Sequence, residues 1–172
     1  MSTDLNAIEK HTIAVMVDNE PGVLARVIGL FSGRGYNIES LTVAEVDDAQ
    51  HLSRITIVTS GTRMIIEQIK AQLGRLVPVH RVQDLTDEGP HVERELLLVK
   101  VSGTGDKRIE ALRIADIFKA RVVDATLSSF IFELTGTTEE LDSFVALMAQ
   151  LGMVEASRTG VVAMSRGLAG GM

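Results

Sequence analysis

Asp18-Asn19-Glu20-Pro21-Gly22-Val23-Leu24, followed by Gly35-Tyr36-Asn37-Ile38-Glu39-Ser40, decides how the rest of the chain is read. The first stretch joins an alternating run at 11–17, with Ile13, Val15 and Val17 on one face, to a helical run carrying Leu24, Val27, Ile28 and Phe31. Pro21 has the φ that a helix wants in its first turn, and the amide it lacks would be unpaired there anyway. Gly22 removes the side chain where a small ligand could approach the backbone. The amides of Gly22, Val23 and Leu24 are then expected free at the positive end of the helix dipole, a position suited to a carboxylate. Asn19 and Asn37 offer amide carbonyls that can accept hydrogen bonds from an ammonium. A free amino acid needs one group of each kind. Taken alone, each stretch is also explained by an ordinary Pro-Gly helix entry, with Asn37 tolerating a left-handed turn after Gly35.

The 172 residues suit one large domain or two small ones, and 45% hydrophobic content is enough for packed cores. With five Phe, one Tyr and no Trp, those cores must be built from Val, Ile and Leu. The net charge of −6 argues against nucleic acid, which needs a basic surface and stacking aromatics. The absence of cysteine excludes a disulfide scaffold and cysteine catalysis, and fits a reducing compartment. Residues 1–10 lack the apolar core of a signal peptide, and no apolar run approaches a membrane span. A soluble, cytoplasmic protein with no membrane partner is expected.

Helix 21–33 is followed by a strand over 36–46, whose pattern changes phase between Ile38 and Leu41 and so suggests a bulge. Asp47-Asp48-Ala49-Gln50 is a polar turn before a strand at 52–59. Helix 62–73 carries Ile65, Ile69 and Leu73, with Gly74 as its stop, and a strand at 76–83 contains Pro78. A proline cannot donate to a ladder, so this strand belongs at a sheet edge. After a polar linker at 85–93 the same order returns. Strand 96–101, helix 106–118 and strands 121–127 and 130–134 lead to a helix opened by a capping box, Thr137 with Glu140. That helix carries Leu141, Phe144, Val145, Met148 and Leu151, and 154–164 is mainly extended. Two βαββαβ units imply an α+β protein of two ferredoxin-like domains, each an antiparallel sheet of order 4-1-3-2 with two helices on one face. The predicted divisions are 10–84, a linker at 85–93, 94–166, and a tail at 167–172. The strand at 36–46 would lie on the other edge with no proline to blunt it, and such an edge pairs with another chain. A homodimer joined through it would bring Asn37 and Ile38 of one protomer near the Asn19–Leu24 turn of its partner.

At these residues the chain resembles the regulatory small subunits of acetolactate synthase (acetohydroxyacid synthase). The resemblance covers about 10–166 and is carried by the two opening stretches, by Arg26-Val27-Ile28-Gly29-Leu30-Phe31, by Leu52-Ser53-Arg54, by His91-Val92-Glu93-Arg94-Glu95-Leu96 and by Ser157-Arg158-Thr159-Gly160-Val161. It implies an N-terminal ACT domain and a C-terminal ferredoxin-like domain, with no cofactor in this chain. It also implies a large catalytic subunit that condenses pyruvate using thiamine diphosphate, Mg and FAD. By the same resemblance Asn19, Pro21, Gly22, Val23, Leu24, Asn37 and Ile38 line a site for valine or a related branched-chain amino acid, through which feedback inhibition acts. Pro21 and Ala25 stand where many members of that family carry serine, so a hydroxyl contact there is absent.

No constellation supporting catalysis emerges, neither Ser/His/Asp nor paired carboxylates. Ser102-Gly103-Thr104-Gly105-Asp106-Lys107-Arg108 lacks the spacing of a phosphate loop and reads as a strand-to-helix turn. His11, His51, His80 and His91 are scattered singly and are expected at the surface or at strand ends, with no metal spacing. Asp18 and Glu20, beside the carboxylate position, are expected to face solvent or Arg26. Two other readings stay open: a stand-alone amino-acid sensor, and an independent enzyme, which the missing catalytic groups disfavour.

Overall fold

The structure, a computed structural model, describes residues 4–168. Packing divides the chain into two compact units, one running to Val92 and including the chain from Val161 onward, the other Glu93–Gly160. In the first, β1 (Ile8–Asp18), α1 (Val23–Arg34), β2 (Ser40–Asp47), β3 (Leu52–Thr62), α2 (Arg63–Arg75) and β4 (Val79–Asp84) form an antiparallel sheet of order β2-β3-β1-β4. A short α3 (Leu85–Glu88) follows. In the second, β5 (His91–Ser102), α4 (Asp106–Ile117), β6 (Arg121–Ala125), β7 (Ser129–Gly136), α5 (Thr138–Gln150) and β8 (Met153–Arg158) repeat the arrangement as β6-β7-β5-β8. A further strand, β9 (Val162–Ser165), pairs with β5 off that path. The α+β class and both sheet orders are those expected from sequence.

Period-2 alternation builds the first core. Ile13, Val15 and Val17 of β1 and Ile55 and Ile57 of β3 pack against Val23, Val27 and Phe31 of α1 and Ile69 and Leu73 of α2. The buried stripe of α1 is rotated from the expected one, since Val23 is buried while Ile28 is 38% exposed. Helix α2 runs through Gly74 to Arg75 instead of stopping there, and Thr62 caps its start by accepting from the Ile65 amide. Pro78 lies just before β4, which does form a sheet edge, and its carbonyl accepts from the Asp18 amide at 2.9 Å. In the second unit Phe130, Phe132 and Leu134 of β7 meet Leu141, Phe144 and Met148 of α5, with the Thr137–Glu140 capping box formed as expected.

Three stretches depart from the sequence reading. Residues 36–39 are not strand, and β2 begins only at Ser40, with its irregularity near Glu45 rather than at Ile38. Residues 85–93, expected as linker, carry α3 and the start of β5. The chain from Val161, expected to continue the second domain, packs on the first sheet. Val161 and Ala163 are buried with Ala14, Val58 and Leu85. The Val161 amide donates to Ser40 Oγ at 2.8 Å, and Thr42 Oγ1 donates to the Val161 carbonyl at 3.0 Å. Arg54 Nη2 donates to the Ala163 carbonyl at 2.7 Å, and burial lowers the pKa of that guanidinium. Ser40, Thr42, Arg54, Ala14 and Val58 alternate with the helix-facing residues, so this segment straps the sheet face that the helices leave open.

His11 is only 2% exposed, a correction to the expected surface or strand-end placement of the histidines. Its Nδ1 lies 2.8 Å from Asp84 Oδ2 and its Nε2 2.9 Å from Glu9 Oε2. Asp84 also caps α3 by accepting from the Thr86 and Asp87 amides. Lys70 Nζ reaches Asp84 and Asp87 at 3.1 Å each, and Arg63 grips Asp87 with two nitrogens at 2.8 and 2.9 Å. The cluster of His11, Asp84 and Asp87 is therefore already neutralised by two side-chain cations.

The Arg63 guanidinium, helped by Lys70 and opposed by burial, holds the Asp87 carboxyl down to about 2. A depressed carboxylate stabilises the fold above its unfolded value of about 3.9 and loses that contribution as pH falls toward its folded value. Acid titration followed by circular dichroism is therefore expected to show stability falling between about pH 4 and pH 2, with Asp87→Asn flattening that limb. For the strap, Val161→Ala is expected to cost about 1–3 kcal/mol by urea denaturation, while its exposed neighbour Val162→Ala changes less than about 0.5 kcal/mol.

Candidate functional site

Glu20-Pro21-Gly22-Val23 is a tight turn. Gly22 has φ 87° and ψ −8°, and the Val23 amide donates to the Glu20 carbonyl at 3.4 Å. Those angles at the third position, with proline at the second, make a type II turn. A Cβ built on Gly22 would meet nothing within 4 Å, so the positive φ rather than crowding within the chain is what favours glycine there. Helix α1 starts at Val23, so Pro21 lies two residues before it and belongs to the turn.

The turn changes which donors are open. The Val23 amide is used by the turn, contrary to its expected freedom, and its side chain is core. The amides of Gly22, Leu24 and Ala25 make no hydrogen bond among the described residues, and Arg26 donates the first helical bond, to the Gly22 carbonyl at 3.1 Å. Gly22 and Ala25 are exposed, and the Leu24 side chain is half-buried against the core. Three N–H groups at the helix start are thus left able to donate to an anion. Asn19 is exposed, its amide anchored to the His51 carbonyl at 2.7 Å and its side chain without a partner among the described residues. Asp18 turns to His80, with Oδ1 2.5 Å from Nε2, and not to Arg26.

Asn37 and Ile38 follow the left-handed Gly35 that ends α1. Asn37 is exposed; Ile38 is half-buried against the first core. The Asn37 carbonyl accepts from Thr59 Oγ1 at 2.5 Å, and the Glu39 amide donates to the Val58 carbonyl at 2.8 Å. These tethers replace the regular ladder and explain why 36–39 is not strand. Neither Thr59 nor the tether was legible in the sequence, where a threonine in a strand looks like any other β-branched residue.

The seven sequence-predicted residues do not converge within one chain. Asn19, Pro21, Gly22, Val23 and Leu24 form one group, and Asn37 and Ile38 another. Asn19 is bound to His51 and Asn37 to Thr59. These two anchors are eight positions apart, one just before β3 and one far along it, which is roughly 26 Å at the rise of an extended strand. The chain thus holds these two groups of residues at opposite ends of β3. Beside them β2 is an open sheet edge, with Val43 and Val46 45% and 51% exposed.

Comparison with known proteins bears on both units. Residues 13–81 match the family model described as an AHAS small subunit-like ACT domain, and residues 94–167 the one described as the small subunit of acetolactate synthase. A probable acetolactate synthase small subunit of Archaeoglobus fulgidus is 50% identical over 92% of this chain and 98% of its own length. The acetolactate synthase isozyme 3 small subunit of Escherichia coli is 48% identical over 92% of this chain and 96% of its own. The crystal structure of the acetolactate synthase small subunit of Thermotoga maritima superposes with a TM-score of 0.82 at 37% identity, covering 92% of this chain and 98% of that one. With half the residues shared across nearly its whole length and the same fold, this chain belongs to the acetolactate synthase small-subunit family.

Proposed function

We propose that this chain is a non-catalytic regulatory subunit that pairs with a second copy along β2, binds valine or a related branched-chain amino acid, and signals to a large catalytic subunit. That cytoplasmic partner condenses pyruvate with thiamine diphosphate, Mg and FAD in branched-chain amino-acid biosynthesis. Family membership supports the partnership. The observation that carries the binding reading is the separation of the half-sites beside an open strand edge. A two-fold pairing of antiparallel β2 strands sets the Gly22 end of one protomer beside the Asn37 end of its partner, and makes two equivalent sites.

In each site the open amides of Gly22, Leu24 and Ala25 take the ligand carboxylate, and the Asn19 and Asn37 side-chain carbonyls take its ammonium. The alkyl group rests on apolar surface near Leu24 and Ile38. Burying an isopropyl group contributes about 1.5–3 kcal/mol, enough to select valine over alanine. It separates valine from leucine far less. Feedback then requires a coupling of about 1–3 kcal/mol between ligand and catalytic partner.

Three measurements test this reading. Calorimetric titration of the isolated protein is expected to give one valine per protomer, with leucine and isoleucine weaker or comparable and alanine at least about tenfold weaker. No heat with any of them removes the ligand. Val43→Lys combined with Val46→Lys places charge on the exposed edge and is expected to yield a folded monomer by sedimentation, with valine binding lost. A monomer that binds valine as the wild type does would refute the shared site. Gly22→Asp tolerates the left-handed angle but sets a carboxylate against the bound one, so valine affinity is expected to drop at least about tenfold. Gly22→Asn keeps that backbone tolerance without the charge and is expected to retain more affinity than Gly22→Asp.

A further inference from the structure

Thr59 is completely buried, and its hydroxyl donates to the carbonyl of the exposed Asn37, 2.5 Å away. The peptide joining Asn37 to Ile38 is trans, as are all described peptide bonds. In a trans peptide the carbonyl and the following N–H point in opposite directions. Drawing the Asn37 carbonyl onto Thr59 therefore turns the Ile38 N–H away from the sheet. That N–H makes no hydrogen bond among the described residues, although the residues around it are tied down. The Tyr36 amide bonds the Phe31 carbonyl at 2.9 Å, and the Glu39 amide bonds the Val58 carbonyl. Glu39 is held further by Ser60 Oγ and by Lys10 Nζ at 3.0 Å. The backbone donors of Asn37 and Ile38 are left without a hydrogen bond among the described residues, in a short non-strand segment tied at Tyr36 and Glu39, and of the two it is the Ile38 N–H that the Thr59 tether orients.

We infer that Thr59 is a positioning residue for amino-acid binding: its buried hydroxyl fixes the Asn37–Ile38 peptide so that the Ile38 N–H faces the ligand as a preset donor. This inference rests on the reading of 37–38 as half of a shared amino-acid site. The donor suits the carboxylate of a zwitterion, or a carboxylate oxygen already seated on the partner's helix start. Preset orientation matters because an exposed segment free to rotate loses entropy when it binds. Asn37 being exposed, water can replace the threonine hydroxyl on its carbonyl, so losing the tether should loosen the peptide more than it destabilises the fold.

The test compares wild type with Thr59→Val, which keeps the shape and the β-branch, and Thr59→Ser, which keeps the hydroxyl. Each is titrated with L-valine by calorimetry and melted by circular dichroism. Thr59→Val is expected to bind valine about five- to tenfold more weakly, the loss of one hydrogen bond's worth of preset geometry, with its midpoint within about 3 °C of wild type. Thr59→Ser is expected to bind within about twofold of wild type. In nitrogen-15 spectra the Ile38 amide should shift with valine in wild type and Thr59→Ser, and much less in Thr59→Val. Wild-type affinity in Thr59→Val overturns the inference and leaves the site itself standing. So does tenfold weaker binding by a folded Thr59→Ser, whether or not Thr59→Val folds. A wild type that binds no branched-chain amino acid defeats the site reading and the inference with it.

Discussion

Strand β3 acts as a spacer. One of its ends borders the His51 carbonyl that anchors Asn19, and the other carries the Thr59 hydroxyl that anchors Asn37. The split βαβ order forces this arrangement. Helix α1 must run back along β1 before β2 begins, so the turn entering the helix and the turn leaving it lie at opposite ends of the sheet. A ligand with a carboxylate, an ammonium and a short alkyl group is far too small to span that distance. On the proposed reading a small molecule gripped by both groups meets them from two protomers paired along the edge strand β2. On that reading ligand occupancy and subunit pairing form one equilibrium, each strengthening the other.

The chemistry of the half-sites fits a neutral zwitterion better than a charged metabolite. The proposed seat is built from backbone N–H groups and uncharged amide side chains; of the two acids beside it, Asp18 is engaged by His80 and Glu20 is exposed. Positive groups are not gathered there. Where this unit concentrates charge is the far end of the sheet, in the network of Glu9, His11, Arg63, Lys70, Asp84 and Asp87, which ties β1 and α2 to the cap of α3. There the ions hold one another and fix the exit of the chain from the sheet.

The open sheet face shows how the C-terminal segment is recruited. A split βαβ unit covers one face with helices and leaves the other to solvent or to a partner. On this face the strands carry Ala14 and Val58 beside Ser40, Thr42 and Arg54. The apolar pair makes burial favourable, and the polar ones take the backbone groups of a segment that has only partial pairing of its own. Two of the straps' anchors, Ser40 and Thr42, belong to the same edge strand that follows Asn37 and Ile38. The fold thus places the edge strand between the Thr59-tethered segment of Asn37 and Ile38 at its start and a covering segment on its face.

Much of this was readable from residues alone. Alternation at Ile13, Val15 and Val17, helical spacing at Val27 and Phe31, the Thr137–Glu140 box and the edge-seeking Pro78 are local signals, and the two sheets follow from repeating their order. The turn at Pro21-Gly22 that enters α1 was equally local, because Pro-Gly pairs mark turns in sequence. What local pattern could not supply was anything depending on which distant strands become neighbours. The burial of His11, the capture of Val161 by Ser40, the use of the Val23 amide in its turn and the Thr59 tether on Asn37 all arise from register. Periodicity says which face a residue takes, but only the paired sheet says what lies across from it. For that reason the amino-acid chain by itself marked the Pro-Gly turn and the asparagines on either side of α1, and only the tertiary structure decided that one copy holds them at opposite ends of β3.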